Sequence, residues 1–478
     1  MKRTRLLATV TLMVAMFMDL MDSTITVVAL PALGAELDAT PAQLEWTIAG
    51  YLIPFSTLLI TGGRLGDIYG RRRIFVLGVL GFTIASLLAS LSSTAAILVV
   101  WRIFQGACAG IMVPQVLSSV QVMYKPDERA PIFGIIGALS ALGSIGGLVL
   151  GGWLITADFL GTGWRSIFLI NIPIGLMLVI AAAIFIPDSR STNPLKLDLK
   201  GVLLGSIAVF LVIFPLTEGE QVDWAWWIWS MFALAPLMIW LFVRQQQHKL
   251  AADGSALLPI PLFRNHGFSS GLLVQVLAAI GNGGYPLILL FYIQTALEFT
   301  PLSAGLTLLP IAIGSLIATP IATTLTRTLG KQAVLIGGIT QAAAFGWAAL
   351  TINVLGNSLS GWHLTPALTL AGIGMMVMIM PQTSIALGTV PVANAGAASG
   401  TLTTFNQIGM ALGVTAASTV YFGTLDGTLN PRSSVVVALL VSITAYFLAA
   451  LGSLTMPNPR KPAVTDKKAP PALSPLGG

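Results

Sequence analysis

Long apolar runs alternate with short polar loops along almost the whole chain. Each run has about 20 residues or more, the length that an α-helix needs to cross a bilayer. Polar and apolar positions do not alternate within the runs, as they would in the strands of a membrane barrel. The pattern therefore predicts an all-α membrane protein with fourteen transmembrane helices, at residues 8–30, 46–66, 74–93, 96–121, 132–156, 166–187, 199–216, 225–244, 266–293, 302–325, 332–353, 363–388, 399–422 and 434–455.

The polar loops place the positive charges on one side of the membrane. Apart from Arg102, Arg165 and Arg432, the 24 Lys and Arg residues fall at the two chain ends or in every second loop. Positively charged loops mark the cytoplasmic side. We therefore expect a multi-pass protein with both termini in the cytoplasm.

Composition agrees with this architecture and excludes several classes of protein. Hydrophobic residues make up 55% of the chain and charged residues 9%, whereas a soluble domain has about 25% charged residues. The net charge of +6 is spread over short loops, so we expect no nucleic-acid partner. One cysteine excludes an internal disulfide, and three widely separated histidines predict no metal site.

The N-terminal segment imitates a secretory signal peptide, because an apolar run follows several Lys and Arg residues. The run continues to about Leu30 and carries Asp19 and Asp22. A first spanning helix is therefore the better interpretation.

A faint internal repeat predicts how the helices are grouped. The sequence around Gly330, between the tenth and eleventh spans, corresponds in position to the arginine-rich loop around Gly70, between the second and third. Transporters are often built from such repeats. We predict an N-terminal six-helix bundle at 1–190, two inserted transmembrane helices at 191–250, a C-terminal six-helix bundle at 251–456 and a disordered cytoplasmic tail at 457–478.

The first predicted span carries acids within an apolar run. Asp19, Asp22, Ser23 and Thr26 share one helix face. A charge inside a bilayer is costly, so each such acid is a candidate functional residue. We expect this face to line a central cavity. Asp22 is then a candidate to bind and release a proton, and Asp19 is a second acid beside it. The alternative is a polar stripe packed against other helices.

Arg102 is the basic residue of the fourth span, and Gln105 follows it by three positions. Counting at 1.5 Å per residue places Arg102 and Asp22 at similar depths in the outer half of the membrane. An acid beside a permanently charged arginine can release its proton when the site opens to a different solvent. We expect Arg102 to tune the acids; the alternative is a purely structural ion pair.

Residues 63–73 read GRLGDIYGRRR and lie between the second and third spans. This stretch resembles the cytoplasmic signature of the major facilitator superfamily, G-x-x-x-D-x-x-G-R-[RK]-[RK]. The alternative is an ordinary positively charged loop. The resemblance implies the major facilitator fold, alternating access, and an inner gate formed by Gly63, Asp67, Gly70, Arg71, Arg72 and Arg73, with Arg129 nearby.

Two further stretches resemble the fourteen-span drug:proton antiporter family. Residues 21–31, MDSTITVVALP, are similar to its first-span signature L-D-x-T-I-V-N-V-A-L-P. Arg102, Gln105 and Gly106 match the fourth-span signature, which the family is thought to use in proton coupling.

The fifth span resembles the antiporter signature G-x-x-x-G-P-x-x-G-G, although Leu148 replaces its proline and should leave the helix less kinked. We prefer close helix packing to ligand contact as the role of its glycines. These glycines are Gly143, Gly147, Gly151 and Gly152.

The resemblance implies a transporter and not an enzyme. We expect export of hydrophobic, cationic drugs in exchange for protons, by a monomer in the cytoplasmic membrane of a prokaryote. Membrane lipid, substrate and protons are the expected partners. No phosphate-binding G-x-x-x-x-G-K-[ST] loop is present, so we expect the proton gradient as the energy source, and no cofactor.

Two alternatives remain open. The cargo of a proton-coupled exporter could be a metabolite, an amino acid or a lipid-like compound. The protein could also be a membrane receptor or a membrane-embedded enzyme. In the second half, four polar residues are candidates to line the cavity, and the alternative for each is an interhelical hydrogen bond; these residues are Gln275, Asn282, Tyr292 and Gln294.

Overall fold

The structure, a computed structural model, describes residues 2–124, 132, 143, 146–158, 161–191, 196–219, 222–258, 260–390, 395–427 and 430–457. Over these residues every regular element is a helix. Thirteen of the helices in these ranges are long and apolar enough to cross a membrane. Each corresponds to one of the predicted spans. Of the predicted fifth span the structure describes residues 132, 143 and 146–156, and of the predicted tail it describes Pro457 alone.

The helices are labelled α1 to α14 in chain order. The short apolar helix α5 lies at the end of the fifth predicted span. Two short helical turns, Gly163–Arg165 and Ser166–Leu169, precede α6. The bounds are α1 (Lys2–Leu37), α2 (Pro41–Tyr69), α3 (Arg71–Ser90), α4 (Ala95–Met123), α5 (Gly146–Ala157), α6 (Asn171–Phe185), α7 (Leu199–Glu218), α8 (Trp226–Asp253), α9 (His266–Thr295), α10 (Pro301–Thr328), α11 (Lys331–Leu355), α12 (Gly361–Gly388), α13 (Ala395–Gly427) and α14 (Pro431–Gly452).

Side-chain caps fix several helix starts. Thr40 accepts a hydrogen bond from the backbone N–H of Gln43 and so caps α2. Thr94 and Asn265 cap α4 and α9 in the same way. Such caps satisfy backbone donors that have no partner within the helix.

Glycines bring the helices of each half into close contact. A Cβ on Gly106 of α4 would lie 2.1 Å from Tyr51 O of α2. In the second half, a Cβ on Gly372 of α12 would lie 1.8 Å from Ile311 O of α10. Neither position can hold a side chain without a backbone shift. The pairs α2/α4 and α10/α12 occupy equivalent places, second and fourth, in the two six-helix sets.

The two halves meet along several helix pairs. Thr404 Oγ1 of α13 donates to Ser56 O of α2 over 3.3 Å. Gln294 Nε2 of α9 donates to Val28 O of α1 over 3.1 Å. We refer to the contact between α2 and α13 as the α2/α13 seam.

The inserted helices cover this seam from outside. Helix α7 packs against α2, α13 and α8. Thr419 Oγ1 of α13 donates to Leu216 O of α7 over 3.2 Å, and Trp46 Nε1 of α2 donates to Glu218 Oε1 over 3.0 Å. Helix α8 lies farther out, and its Trp226 is 81% exposed. The inserted pair therefore contacts both halves of the molecule through α7.

Candidate functional site

Asp22 of α1 forms the centre of a buried polar cluster. Its Oδ2 lies 2.6 Å from Nη1 of Arg102 of α4. Its Oδ1 accepts hydrogen bonds from Gln105 Nε2, at 2.9 Å, and from Asn171 Nδ2 of α6, at 2.7 Å. Both charged side chains are at most 1% exposed. Three helices thus converge on a single carboxylate.

Arg102 holds the cluster to α2 as well. Its Nε donates to Thr47 O over 3.0 Å, and its Nη1 donates to Gln105 Oε1 over 2.7 Å. The guanidinium lies 4.4 Å from the ring centre of Tyr51, a cation–π contact. A buried charge with this many partners is stable only while its counter-charge stays in place.

Asp19 is buried one helical turn before Asp22. The Tyr51 hydroxyl donates a hydrogen bond to Asp19 Oδ1. Because the same ring lies under Arg102, Tyr51 connects the two acids. The hydroxyl of Thr26 donates to the backbone O of Asp22 over 2.8 Å and makes a local contact only.

A cavity of about 470 Å³ lies between the two halves and is called here the central cavity. Its wall is largely apolar and includes methionines, leucines and isoleucines. Arg102 and Tyr51 lie on its wall, whereas Asp19 and Asp22 are not among the lining residues. The two acids therefore lie directly behind Arg102 and Tyr51.

This placement differs from the expected orientation of the acidic stripe. Of its four residues, Ser23 lines the central cavity, while Asp19, Asp22 and Thr26 are packed among helices. The reason is the pairing itself: Arg102 and Tyr51 attract the carboxylates toward α2 and α4.

Three cluster members were not among the sequence-based candidates: Tyr51, Ser86 and Asn171. Ser86 Oγ accepts from Gln105 Nε2 over 2.8 Å and from Asn171 Nδ2 over 3.3 Å. Asn171 Oδ1 is buried and has no partner within the described part of the chain. A buried amide in the apolar run 166–187 was the available signal for Asn171.

The candidates from the second half separate into different roles. Asn282 lines the central cavity and accepts a hydrogen bond from the Tyr446 hydroxyl at 2.9 Å. Gln275 Nε2 donates to Asn406 Oδ1 over 2.6 Å, and Asn406 also lines the cavity. Gln294 joins α9 to α1, and Tyr292 is buried away from the cavity wall.

The arginine-rich loop packs against the segment between α6 and α7. Arg71 Nη2 lies 2.6 Å from Asp67 Oδ1, and the backbone N–H of Arg71 donates to Ser189 O over 3.0 Å. Gly70 has φ +104°, a conformation that favours glycine, and a Cβ there would lie 2.8 Å from Asp188 Oδ1.

The other residues of the predicted inner gate have different surroundings. Arg72 is half-buried and Arg73 is exposed. A Cβ on Gly63 would lie 3.7 Å from Pro114 Cβ, an ordinary contact distance. Arg129 lies outside the described residues.

Arg64 of the same loop connects α2 to both ends of the inserted pair. Its Nη1 donates to Ser255 O at 2.5 Å and to Lys196 O at 3.1 Å, and its Nη2 donates to Ala256 O. The side chain is 8% exposed. From the sequence alone, Arg64 indicated only that the loop lies on the cytoplasmic side of the membrane.

The glycines of the fifth span lie against neighbouring helices. A Cβ on Gly143 would lie 3.2 Å from Leu20 Cβ, and one on Gly147 would lie 2.0 Å from Thr24 Oγ1. These contacts bring α5 close to α1.

The last two glycines of this span continue the same surface. A Cβ on Gly151 would lie 2.5 Å from Ile25 Cγ1 of α1, and one on Gly152 would lie 2.5 Å from Leu302 Cα of α10. Leu148, at the place of the signature proline, lines the central cavity. The glycines thus bring α5 close to both halves.

No group of three or more His, Cys, Asp or Glu side chains that could hold a metal ion occurs among the described residues. The two buried carboxylates of the site, Asp19 and Asp22, are paired with Tyr51 and Arg102 on its cavity side.

Comparison with known proteins gives a family for this chain. The family model described as Major Facilitator Superfamily matches residues 12–414. The chain is 35% identical over 415 residues to a probable actinorhodin transporter of Streptomyces coelicolor. This alignment covers 86% of this chain and 71% of the relative. It is 31% identical over 463 residues to a puromycin resistance protein of Streptomyces alboniger, covering 92% and 90% of the two chains.

Solved structures share the fold at low sequence identity. A bacterial homologue of the human lysosomal transporter Spinster, in an inward-facing conformation, superposes with a TM-score of 0.65 at 17% identity and covers 95% of this chain and 98% of its own. A POT family transporter in complex with a thioalcohol-conjugated peptide gives 0.68 at 14% identity, with 94% and 96% coverage. The fold, the spanning helices and the family match agree, and the chain belongs to the Major Facilitator Superfamily.

Proposed function

We propose that this protein is an efflux transporter that exports hydrophobic compounds, including cationic ones, in exchange for protons. The observation that carries the proposal is the buried Asp22–Arg102 pair, whose arginine forms part of the central cavity wall while its carboxylate lies behind it. Relatives named for antibiotic resistance and export support the efflux part. The cavity geometry supports coupling to protons.

The coupling follows from the charge on the cavity wall. While Asp22 is ionised, its charge balances that of Arg102, and the wall is close to neutral. When Asp22 takes up a proton, Oδ2 no longer attracts the guanidinium, and an unbalanced positive charge faces the cavity. A cationic cargo is then repelled and leaves. Loss of the proton on the other side restores the pair and the cargo-binding state.

Asp19 and Tyr51 extend this arrangement. The Tyr51 hydroxyl holds Asp19, and its ring faces Arg102. A movement of Arg102 therefore changes the surroundings of both acids. We infer that Asp22 binds the transported proton and that Asp19 adjusts the electrostatic field around Asp22.

The experiment is export from proteoliposomes with a controlled pH gradient. Ethidium would serve as the cationic probe and Nile red as the neutral one. We expect gradient-driven movement of probe in the wild type and none in Asp22→Asn. Glu36→Gln is the matched control, because Glu36 pairs with Arg165 but is 48% exposed. Equal gradient-driven export by wild type and Asp22→Asn would refute the proposal.

The same assay distinguishes the alternative cargo. A proton-coupled exporter of a metabolite, amino acid or lipid-like compound would move neither probe, yet would still release protons when its own cargo is added. Release of cell metabolites into the medium, compared between a strain that produces the protein and one that does not, would identify that case.

We further propose that the protein acts as a monomer in the cytoplasmic membrane, with both termini in the cytoplasm and without a cofactor. The distribution of Lys and Arg in the loops supports this orientation. Alkaline phosphatase fused after Pro457 should be inactive, and a fluorescent protein fused there should fluoresce. The opposite pair of results would reverse the orientation.

A further inference from the structure

A second cavity, of about 510 Å³, lies on the outer side of the α2/α13 seam and is called here the side cavity. The inserted helices α7 and α8 form its outer wall, and α2 and α13 form its inner wall. From α2 it takes Ser56, Thr57 and Ile60, which lie in the half of that helix nearer to the arginine-rich loop. The side cavity therefore lies in the membrane half next to that loop.

The two cavities share a wall. Asn406 and Met410 of α13 line the central cavity, whereas Phe405 and Ile408 of the same helix line the side cavity. Helix α2 also contributes to both cavities, but at successive levels along its length: Ile48, Tyr51 and Leu52 line the central cavity, and Ser56, Thr57 and Ile60 line the side cavity. The seam between α2 and α13 is thus what separates the two spaces.

The lining of the side cavity offers almost nothing to a polar ligand. Among its lining residues, the side-chain polar groups are the hydroxyls of Ser56, Thr57 and Thr404. Each donates to a backbone carbonyl, the first two to Ile53 O and the third to Ser56 O. No lining residue is charged. An occupant must therefore be held by apolar contact alone.

We propose that the side cavity binds the hydrophobic cargo on its way from the membrane to the central cavity. This inference rests on the proposed export function and adds a binding site to it. The inserted pair α7 and α8 would thus form an intake chamber, and parting of α2 and α13 would join this chamber to the central cavity. The similar volumes, about 510 and about 470 Å³, mean that one molecule can fit in each in turn.

A cargo molecule suits this chamber better than a phospholipid does. A phospholipid would need an anchor for its headgroup at the end of the cavity near Leu257 and Leu258. There the guanidinium of Arg64 is occupied by backbone carbonyls. The Asp198 carboxylate accepts from the amides of Gln245 and Gln246. The guanidinium of Arg64 and the carboxylate of Asp198 are therefore already paired.

The test is photolabelling of the full chain in lipid nanodiscs. The probe is 3-phenyl-3-(trifluoromethyl)diazirine, which is apolar and uncharged, and its competitor is the unreactive ketone trifluoroacetophenone. We expect peptides that contain Gly205 and Phe405 to be labelled in a saturable way, and the ketone to compete. Labelling of Ile180 on α6, a separate peptide whose side chain is 61% exposed, should not saturate.

Two matched variants locate the site. Gly205→Phe fills the side cavity, because a Cβ at Gly205 would already lie 3.4 Å from the Phe242 ring. We expect it to lose saturable labelling. Leu203→Phe adds a ring to the exposed face of the same helix and should keep it. If Gly205→Phe does not fold, Ala208→Leu narrows the same cavity and should weaken saturable labelling.

Other results of these experiments would overturn the inference or separate it from the proposed export function. Labelling of the cavity peptides that does not saturate would overturn the inference. Labelling there by a phosphatidylcholine with a diazirine in its acyl chain, unaffected by the ketone, would assign the cavity to lipid and also overturn it. If wild type and Gly205→Phe export Nile red equally from proteoliposomes, the cavity is not on the transport route. If the wild type exports no probe at all but labelling saturates, the export function fails while the binding site stands.

Discussion

Arg102 stands between Asp22 and the central cavity: its Nη1 lies 2.6 Å from Asp22 Oδ2, and the arginine itself is part of the cavity wall. The carboxylate is 0% exposed and the arginine 1%. In the proposed mechanism, a proton that enters from the cavity displaces this arginine to reach Asp22. Proton uptake and a change of charge at the cargo site are therefore the same event in the proposed mechanism.

Asp22→Asn should abolish gradient-driven export and lower stability by about 3–5 kcal/mol, because it leaves the Arg102 charge buried without a counter-charge. Thermal unfolding in detergent, followed by tryptophan fluorescence, measures the stability. The double variant Asp22→Asn with Arg102→Gln should recover part of the lost stability but not the export.

A double-mutant cycle over the same two positions gives the pair's coupling energy. Additive losses in the cycle would mean that the two side chains do not act as a pair. In that case the mechanism proposed for proton coupling would have to be abandoned.

Tyr51→Phe should lower stability by about 1–3 kcal/mol, because it removes the hydroxyl that donates a hydrogen bond to Asp19. The ring beside Arg102 is kept in this variant. Tyr51→Ala should cost more, because the cation–π contact is then lost as well. Thermal unfolding ranks the two variants. Tyr69→Phe, at a 53% exposed position, is the control and should behave as wild type. If Tyr51→Phe also behaves as wild type, the Asp19 contact contributes nothing.

Gly152→Ala should shift the protein away from the arrangement described here. The added Cβ would lie 2.5 Å from Leu302 Cα and 2.6 Å from Pro301 O, so α5 and α10 could not keep their contact. Overpacking of this kind costs about 1–3 kcal/mol. Disulfide cross-linking of a cysteine pair on α5 and α10 should fall in this variant. Gly346→Ala is the control, because a Cβ there meets nothing within 4 Å. Unchanged cross-linking in both variants would show that the contact between α5 and α10 accommodates the methyl group.

Arg64→Lys should loosen the inserted helices while leaving the positive charge in place. A lysine presents a compact point charge and cannot reach the three carbonyls that the guanidinium contacts. We expect faster proteolysis around Asp253–Ala256 and weaker export. Arg73→Lys, at an exposed position of the same loop, should change neither. Equal proteolysis of wild type and Arg64→Lys would mean that this contact does not hold the insertion.

The sequence predicted the positions of the helices along the chain well. It predicted less well which side of each helix faces the cavity. Apolar runs of membrane length identified the spans, since their lengths are set by the bilayer and need no knowledge of neighbours. The positions of Asp22 and Arg102 along their helices predict similar depths in the membrane, and the structure brings the two side chains together. Depth alone could not show that Asp19 and Asp22 turn toward α2 and α4, because rotation about a helix axis is decided by partners on other helices.

The missed residues share one property: their roles depend on contacts far along the chain. Asn171 reaches Asp22 across 149 positions, and Arg64 reaches Ser255 across 191. No local pattern records such pairs. The side cavity was missed for the same reason, because its walls come from helices that are widely separated in sequence.

The contacts of Arg64 with the insertion determine where the chain leaves the first half of the molecule. Arg64, Asp198 and Gln246 secure the chain to the first half as far as Leu258, since Asp198 accepts from Leu257 N–H and Gln246 Oε1 accepts from Leu258 N–H. From Phe263 onward the chain is attached to the second half, where that ring packs on Phe268 and Phe405. The chain therefore passes from contacts with the first half at Leu258 to contacts with the second half at Phe263. In the proposed mechanism, a movement of the two halves about this connection would carry α13 past α7 and change the width of the side cavity.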